Sequence, residues 1–88
     1  MLDNQIHNWI IKRIIELLIQ QNRTLPELAN ECNLASATIQ NYISGKTTMK
    51  IENIITVGVA LSGSLNNFFD NMDASLYRKI SVEIQNLK

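Results

Sequence analysis

TLPELANECNLASATIQNYISG, residues 24–45, holds the signals for two short helices joined by a tight turn. Thr24 and Glu27 follow the S/T-x-x-E pattern of a capping box, in which each side chain accepts a hydrogen bond from a free amide at the start of a helix. The pattern predicts a helix that begins near Leu25. It is expected to end at about Cys32 or Asn33, because asparagine can adopt the left-handed conformation that closes a helix.

The second helix of the pair is predicted over residues 36–44. Ile39, Tyr42 and Ile43 share one face at helical spacing. Gly45 stands where a helix terminator is expected. The pair therefore has the outline of a helix-turn-helix, whose second helix enters the major groove of DNA.

The segments on either side are also helical in pattern. Over residues 4–21, apolar side chains recur at steps of three and four, which predicts one amphipathic helix. A mostly buried fourth helix is expected to begin after the polar residues 46–50 and to stop at Ser62-Gly63. Ser64 can cap a short fifth helix over 65–69.

Residues 74–88 carry two overlapping patterns. Leu76, Ile80, Ile84 and Leu87 suit a helix, whereas Ile80, Val82 and Ile84 alternate as they would in a strand. A helix is favoured. The chain is accordingly divided into a domain of residues 1–70 and an extension of residues 71–88. Because five helices already account for a core, the apolar face of the extension is expected to meet a second subunit, with Trp9 or Phe69 as further contacts.

Composition limits the function classes. The 88 residues are 45% hydrophobic and 18% charged, as expected of one globular domain, and eight basic residues balance eight acidic ones. One cysteine and one histidine cannot build a metal cluster, so no metal or cofactor is expected. Neither a catalytic cluster nor a phosphate-binding glycine loop is present, so an enzyme is not expected. The apolar runs are too short for a leader or a membrane span, which favours a cytoplasmic protein.

The segment 24–45 resembles the lambda-repressor-like helix-turn-helix family of bacterial and phage regulators, and the resemblance extends over about residues 14–69. It rests on the N-cap Thr24, Leu28-Ala29, Asn33-Leu34, Ile39 and the terminal Gly45. The resemblance implies an all-α fold: a five-helix DNA-binding domain, here with an additional C-terminal helix or short strand. It also implies that Ser36, at the start of the second helix of the motif, contacts bases.

The exposed face of that second helix follows from its periodicity. With Ile39 as the inward direction, a projection at 100° per residue places Ala35, Tyr42 and Ile43 in the core. Small, uncharged side chains lie on the other side. Gln40 and Asn41 can each bind adenine through two hydrogen bonds, and Ala37 can touch a thymine methyl group. The predicted base contacts are Ser36, Ala37, Gln40 and Asn41.

Phosphate contacts need cations or free amides. Residues 12–50 carry a balance of +2, while 1–11 and 51–88 each carry −1, so the excess positive charge lies in the helix-turn-helix half. The amides at the start of the helix capped by Thr24 can also bind an anion. The predicted phosphate contacts are Thr24, Thr38, Ser44, Lys46, Thr47, Thr48 and Lys50.

The sequence departs from the family pattern in three informative ways. Leu25 replaces a glutamine that often braces the DNA backbone, and the recognition helix has no arginine or lysine for guanine, so an A/T-rich site is expected. Leu18 and Ile43 occupy positions where the family commonly pairs arginine with glutamate. Because both partners have become apolar, Leu18 and Ile43 are expected to touch, and Ile43→Glu is expected to destabilise the fold sharply.

Two functions remain open on the sequence. The first is a sequence-specific regulator of transcription, expected to be a repressor because 88 residues leave no room for an effector domain, that binds an inverted repeat in double-stranded DNA as a homodimer. No small-molecule effector is indicated. The second is an antitoxin or adaptor that keeps the fold but binds another protein, which the neutral net charge and Leu25 favour.

Overall fold

The computed structural model describes residues 4–86, and the part of the chain that it describes is made of six helices without a strand. The helices are α1 (Asn4–Gln21), α2 (Leu25–Glu31), α3 (Ser36–Ile43), α4 (Ile51–Ser62), α5 (Leu65–Phe68) and α6 (Ala74–Gln85). The predicted all-α class is confirmed.

The helix ends form where the sequence signals lie. Thr24 and Glu27 make both hydrogen bonds of the capping box at α2, and Asn33, with φ of 57°, closes the turn after that helix. Gly63 ends α4 in the left-handed region at φ of 78°. The Ser64 side chain accepts a hydrogen bond from the Asn67 amide at the start of α5. Local capping therefore sets these boundaries.

Two boundary predictions and one burial prediction need correction. The third helix stops at Ile43 with Ser44 as its C-cap, and the fifth stops at Phe68, one residue earlier than expected in each case. The prediction that Ala35 lies in the core is wrong, since its side chain is exposed. Ala35 is the N-cap of α3 with an extended backbone, so a helical projection does not apply to it.

One core joins all the helices. Ile10, Leu28, Ile39, Ile54 and Phe68 are fully or almost fully buried in it, one from each of the first five helices. The closest packing lies between α4 and α5. A Cβ atom added at Gly58 would stand 3.1 Å from Cγ of Phe68, so the absence of a side chain at this position lets the two helices approach.

The C-terminal segment is a helix over 74–85, and Leu87 and Lys88 lie outside the described residues. The apolar face that Leu76, Ile80 and Ile84 form, expected to be spare, is not free. The face packs on α1, and Ile80 is fully buried in the common core with Leu76 and Ile84 beside it. Five helices thus leave a gap on α1 that the sixth helix fills.

Aromatic side chains connect α1 to the end of α5. The Trp9 ring lies 6.2 Å from the Phe68 ring and 6.1 Å from the Phe69 ring, so Trp9 packs against the end of α5. Arg13 donates hydrogen bonds to the carbonyl oxygens of Phe68 at 3.0 Å and Asn67 at 3.1 Å. Phe69 is buried and offers no surface to a second subunit.

Candidate nucleic-acid interface

The inner face of α3 is fixed by the core. Ile39 and Tyr42 are 1% and 5% exposed, and together they orient the helix on the domain. The Tyr42 hydroxyl accepts a hydrogen bond of 2.7 Å from Nδ2 of Asn53 in the first turn of α4. Both packing and a directional bond therefore hold this helix in place.

The outer face carries the predicted base contacts. Gln40 and Ala37 are exposed, and Ser36 and Asn41 are half-buried. Within residues 4–86, the side-chain amides of Gln40 and Asn41 make no hydrogen bond, although the Asn41 backbone carbonyl accepts two. These amides are free to donate and accept, as a bidentate contact with adenine requires.

The loop after α3 carries most of the predicted phosphate contacts. All five of its predicted side chains are exposed: Ser44, Lys46, Thr47, Thr48 and Lys50. The Thr47 amide donates to the Asn41 carbonyl at 3.3 Å, and the Ser44 hydroxyl donates to the same oxygen at 3.3 Å. The loop is therefore folded back against the end of α3, which brings its side chains next to the outer face of that helix.

Met49 anchors that loop and was missed by the sequence analysis, which treats 46–50 as a polar connection. Its side chain is only 3% exposed and belongs to the core. One apolar residue among polar neighbours gives no periodicity. The one feature of the sequence that indicated burial here was an apolar side chain placed between Thr48 and Lys50.

The hydrogen-bonding groups of Thr24, a predicted phosphate contact, are engaged with Glu27. Its hydroxyl accepts from the Glu27 amide at 3.3 Å and donates to Glu27 Oε1 at 2.9 Å, and its own amide donates to the same oxygen at 2.9 Å. The next residue but one, Pro26, has no N–H. The carboxylate of Glu27 therefore takes the place at the start of α2 that an incoming phosphate would need.

The same hydrogen bonds control the ionisation of Glu27. The backbone amide and then the hydroxyl of Thr24 lower the pKa of this carboxyl, with a smaller contribution from the positive charge of Arg23. The carboxylate is thus held ionised beside α2.

Thr38, the remaining predicted phosphate contact, is half-buried on the flank of α3.

Ion pairs use two of the five cations in residues 12–50. Arg13 pairs with Glu16 at 2.9 Å, and Arg23 pairs with Glu31. In the described part of the chain, Lys12, Lys46 and Lys50 make no ion pair. Two of these three lysines are in the loop after α3, so the positive charge that remains available is concentrated beside the outer face of α3.

An apolar groove lies between α1, α2 and α3. Its walls are Ile15, Leu18, Ile19, Leu25 and Ile43, with Arg23 at the edge, and its volume is about 340 Å³. Ile19 is 74% exposed at this site. Leu18 and Ile43, expected to replace an ion pair, both line the groove. Because Ile43 borders open space, its side chain is only partly buried.

Cys32 and His7 lie outside the outer face of α3. Cys32, at the C-cap of α2, is a buried free thiol, as expected, and burial raises its pKa. Burial lowers the pKa of His7, whose Nε2 has no hydrogen-bond partner within residues 4–86.

No helix in residues 4–86 is both long enough and apolar enough to cross a bilayer.

Comparison of the chain with protein-family models, curated proteins and solved structures finds no match. The family resemblance therefore rests on the sequence pattern alone.

Proposed function

We propose that the protein is a sequence-specific regulator of transcription that binds double-stranded DNA through α3. The observation that carries the proposal is the division of α3 into a buried face, Ile39 and Tyr42, and an outer face with the unbonded amides of Gln40 and Asn41. A helix docked in this way can enter the major groove while the domain holds its orientation.

The chemistry of the two surfaces assigns them different tasks. Gln40 and Asn41 read adenine, Ala37 contacts a thymine methyl group, and Ser36 contacts a neighbouring base. Lys46, Lys50 and the hydroxyls of the loop bind phosphate, which sets affinity but not sequence choice. Because the base-reading face carries no cation for guanine, the preferred site is A/T-rich.

A homodimer is part of the proposal. One recognition helix covers few base pairs, whereas a twofold dimer reads two half-sites about 34 Å apart. Once α6 has packed on α1, Tyr77 and Val82 still expose 40% and 54% of their surface. We place the dimer contact on these residues. In sedimentation experiments, Val82→Asp should shift the chain towards monomer, and Gln85→Asp on the same helix is the control.

The proposed role is repression by occupying an operator, in the compartment that holds the DNA, expected to be the cytoplasm. Its test is selection of bound duplexes from a random pool, followed by affinity measurements at two salt concentrations. The wild type should enrich an A/T-rich inverted repeat and lose affinity steeply as salt rises.

Variants connect that result to α3. Gln40→Ala and Asn41→Ala should each reduce discrimination against mismatched sites by about 1–3 kcal/mol, since each removes one bidentate contact. Gln20→Ala, an exposed glutamine on α1, is the matched control and should change nothing. Equal binding to all duplexes by the wild type, with no effect of either α3 variant, contradicts the proposal.

The apolar groove favours a second candidate, an adaptor or antitoxin that binds another protein. Leu25, Ile15 and Ile19 place apolar surface beside the start of α2, where a phosphate-binding protein would gain more from polar side chains. This alternative predicts little binding to any duplex, even at low salt.

A further inference from the structure

The loop that carries the phosphate-binding lysines is attached to α3 at both ends. At its start, the Thr47 amide donates to the Asn41 carbonyl at 3.3 Å. At its end, Asn53 donates its side-chain amide to Tyr42 at 2.7 Å and its backbone amide to the Lys50 carbonyl at 3.0 Å. Lys50 is therefore linked to Tyr42 of α3 through two hydrogen bonds, both of which Asn53 donates.

We propose that Tyr42 and Asn53 are a positioning pair. Their hydrogen bond fixes the phosphate-binding loop relative to the base-reading face of α3, so that both meet DNA in the correct relative position. The proposal rests on the proposed function and adds to it the source of sequence discrimination. Neither residue is expected to contact DNA: Tyr42 is buried, and the Asn53 amide is directed at the Tyr42 hydroxyl.

The physical reason is that the two kinds of contact tolerate error differently. A lysine on a flexible stem still reaches a phosphate after a small shift of the loop. A bidentate amide-to-adenine contact requires donor and acceptor distances near 2.9 Å and good alignment at both ends. Phosphate contacts fix the orientation of a protein on the duplex, so a loop that shifts relative to α3 misplaces Gln40 and Asn41.

The hydroxyl of Tyr42 can be separated from the packing of its ring. Tyr42→Phe keeps the buried ring and removes only the acceptor of the Asn53 bond. Asn53→Leu removes the donor. Asn53→Asp restores a bond in the opposite direction, because a tyrosine hydroxyl can donate as well as accept.

The experiment compares two duplexes for each variant: the sequence that the wild type selects from a random pool, and a scrambled duplex of the same composition. The ratio of the two affinities is the measured quantity. Tyr42→Phe and Asn53→Leu should each lower that ratio by about 3- to 10-fold, as expected for one lost hydrogen bond. Affinity for the scrambled duplex should stay within about twofold of the wild-type value, since the lysines are unchanged.

The double variant and the rescue distinguish positioning from stability. Tyr42→Phe with Asn53→Leu should lower the ratio no further than either change alone, because both remove the same bond. Asn53→Asp should keep the wild-type ratio while it weakens binding to both duplexes, because it adds a negative charge near phosphate. Unfolding in urea, measured for each variant, identifies any that fails to fold.

Two outcomes overturn the inference. If the wild type prefers a selected duplex and Tyr42→Phe and Asn53→Leu retain that preference, the pair has only a structural role. If the single effects add in the double variant, the two residues do not act together. A wild type that selects no sequence from the pool is a different result, which refutes the proposed function and this inference with it.

Discussion

The two faces of α3 differ in what determines their residues. On the inner face, Ile39 and Tyr42 are buried, and any substitution there must fit the shape of the core. On the outer face, the Gln40 and Asn41 side chains make no hydrogen bond to the described part of the protein, so the fold does not require amides at these positions. Residues that the fold does not need are the ones through which the helix can act on something else.

The largest difference between the faces should appear in stability. Ile39→Ala leaves a cavity beneath α3 and should lower the free energy of unfolding by about 2–5 kcal/mol. Gln40→Ala, its immediate neighbour, should change that free energy by less than about 0.5 kcal/mol. Urea unfolding followed by circular dichroism measures both. Similar losses at the two positions would remove the distinction between the faces.

The contrast between buried and exposed positions extends to α4. Gly58→Ala should destabilise the protein by about 1–3 kcal/mol, because the new methyl carbon would stand 3.1 Å from Cγ of the fully buried Phe68, and the ring would have to shift to relieve the tight contact. Helix propensity alone predicts the opposite, a gain of about 1 kcal/mol. Val59→Ala, at the exposed neighbouring position, serves as the control in the same thermal unfolding experiment.

The loop beside the outer face should affect DNA binding without affecting sequence choice. Lys46→Gln and Lys50→Gln should each reduce by about 1 the slope of the logarithm of affinity against the logarithm of salt concentration. The preference for the selected duplex should not change. Lys12→Gln removes an exposed lysine of α1 that makes no ion pair in residues 4–86, and should leave the slope unaltered. A slope that responds equally to all three changes would mean that the loop has no special role.

The smallest expected effect concerns pH and the start of α2. Because the folded state lowers the pKa of Glu27, this carboxylate stabilises the fold above its ordinary pKa of about 4.3, and the contribution disappears as the pH falls through the folded value. Glu27→Gln keeps a hydrogen-bonding group but cannot ionise. The urea midpoints of the two proteins should therefore differ at pH 7 and converge once the pH has fallen through the folded pKa of Glu27. A constant difference over that range would show that ionisation of Glu27 is not involved.

The helix ends were predictable from sequence because their causes are local. The Thr24 and Glu27 pair, Gly63 and Ser64 all act on residues within one turn, so the signal and its effect lie together in the chain. The exposure of Gln40 followed from the helical repeat once Ile39 was taken as the inward side chain. Ala35 was misplaced because it lies one residue before that repeat begins.

The remaining features depend on contacts between distant segments. The burial of Ile80 requires the surface of α1, and the hydrogen bonds of Arg13 reach carbonyl groups 54 and 55 residues away. No periodicity within 74–88 indicates which helix its apolar face will meet. The bond between Tyr42 and Asn53 likewise depends on how α3 and α4 meet, which no pattern within either segment indicates.

The buried thiol of Cys32 can report how often the turn between α2 and α3 opens. It is the single cysteine of the chain, it lies in the turn between α2 and α3, and burial favours its unreactive protonated form. An alkylating reagent should therefore modify it slowly while the turn is closed and faster when the turn opens, so the rate of modification reports those openings. DNA duplex bound over α3 should slow the alkylation of Cys32, even though Cys32 itself lies outside the outer face of α3.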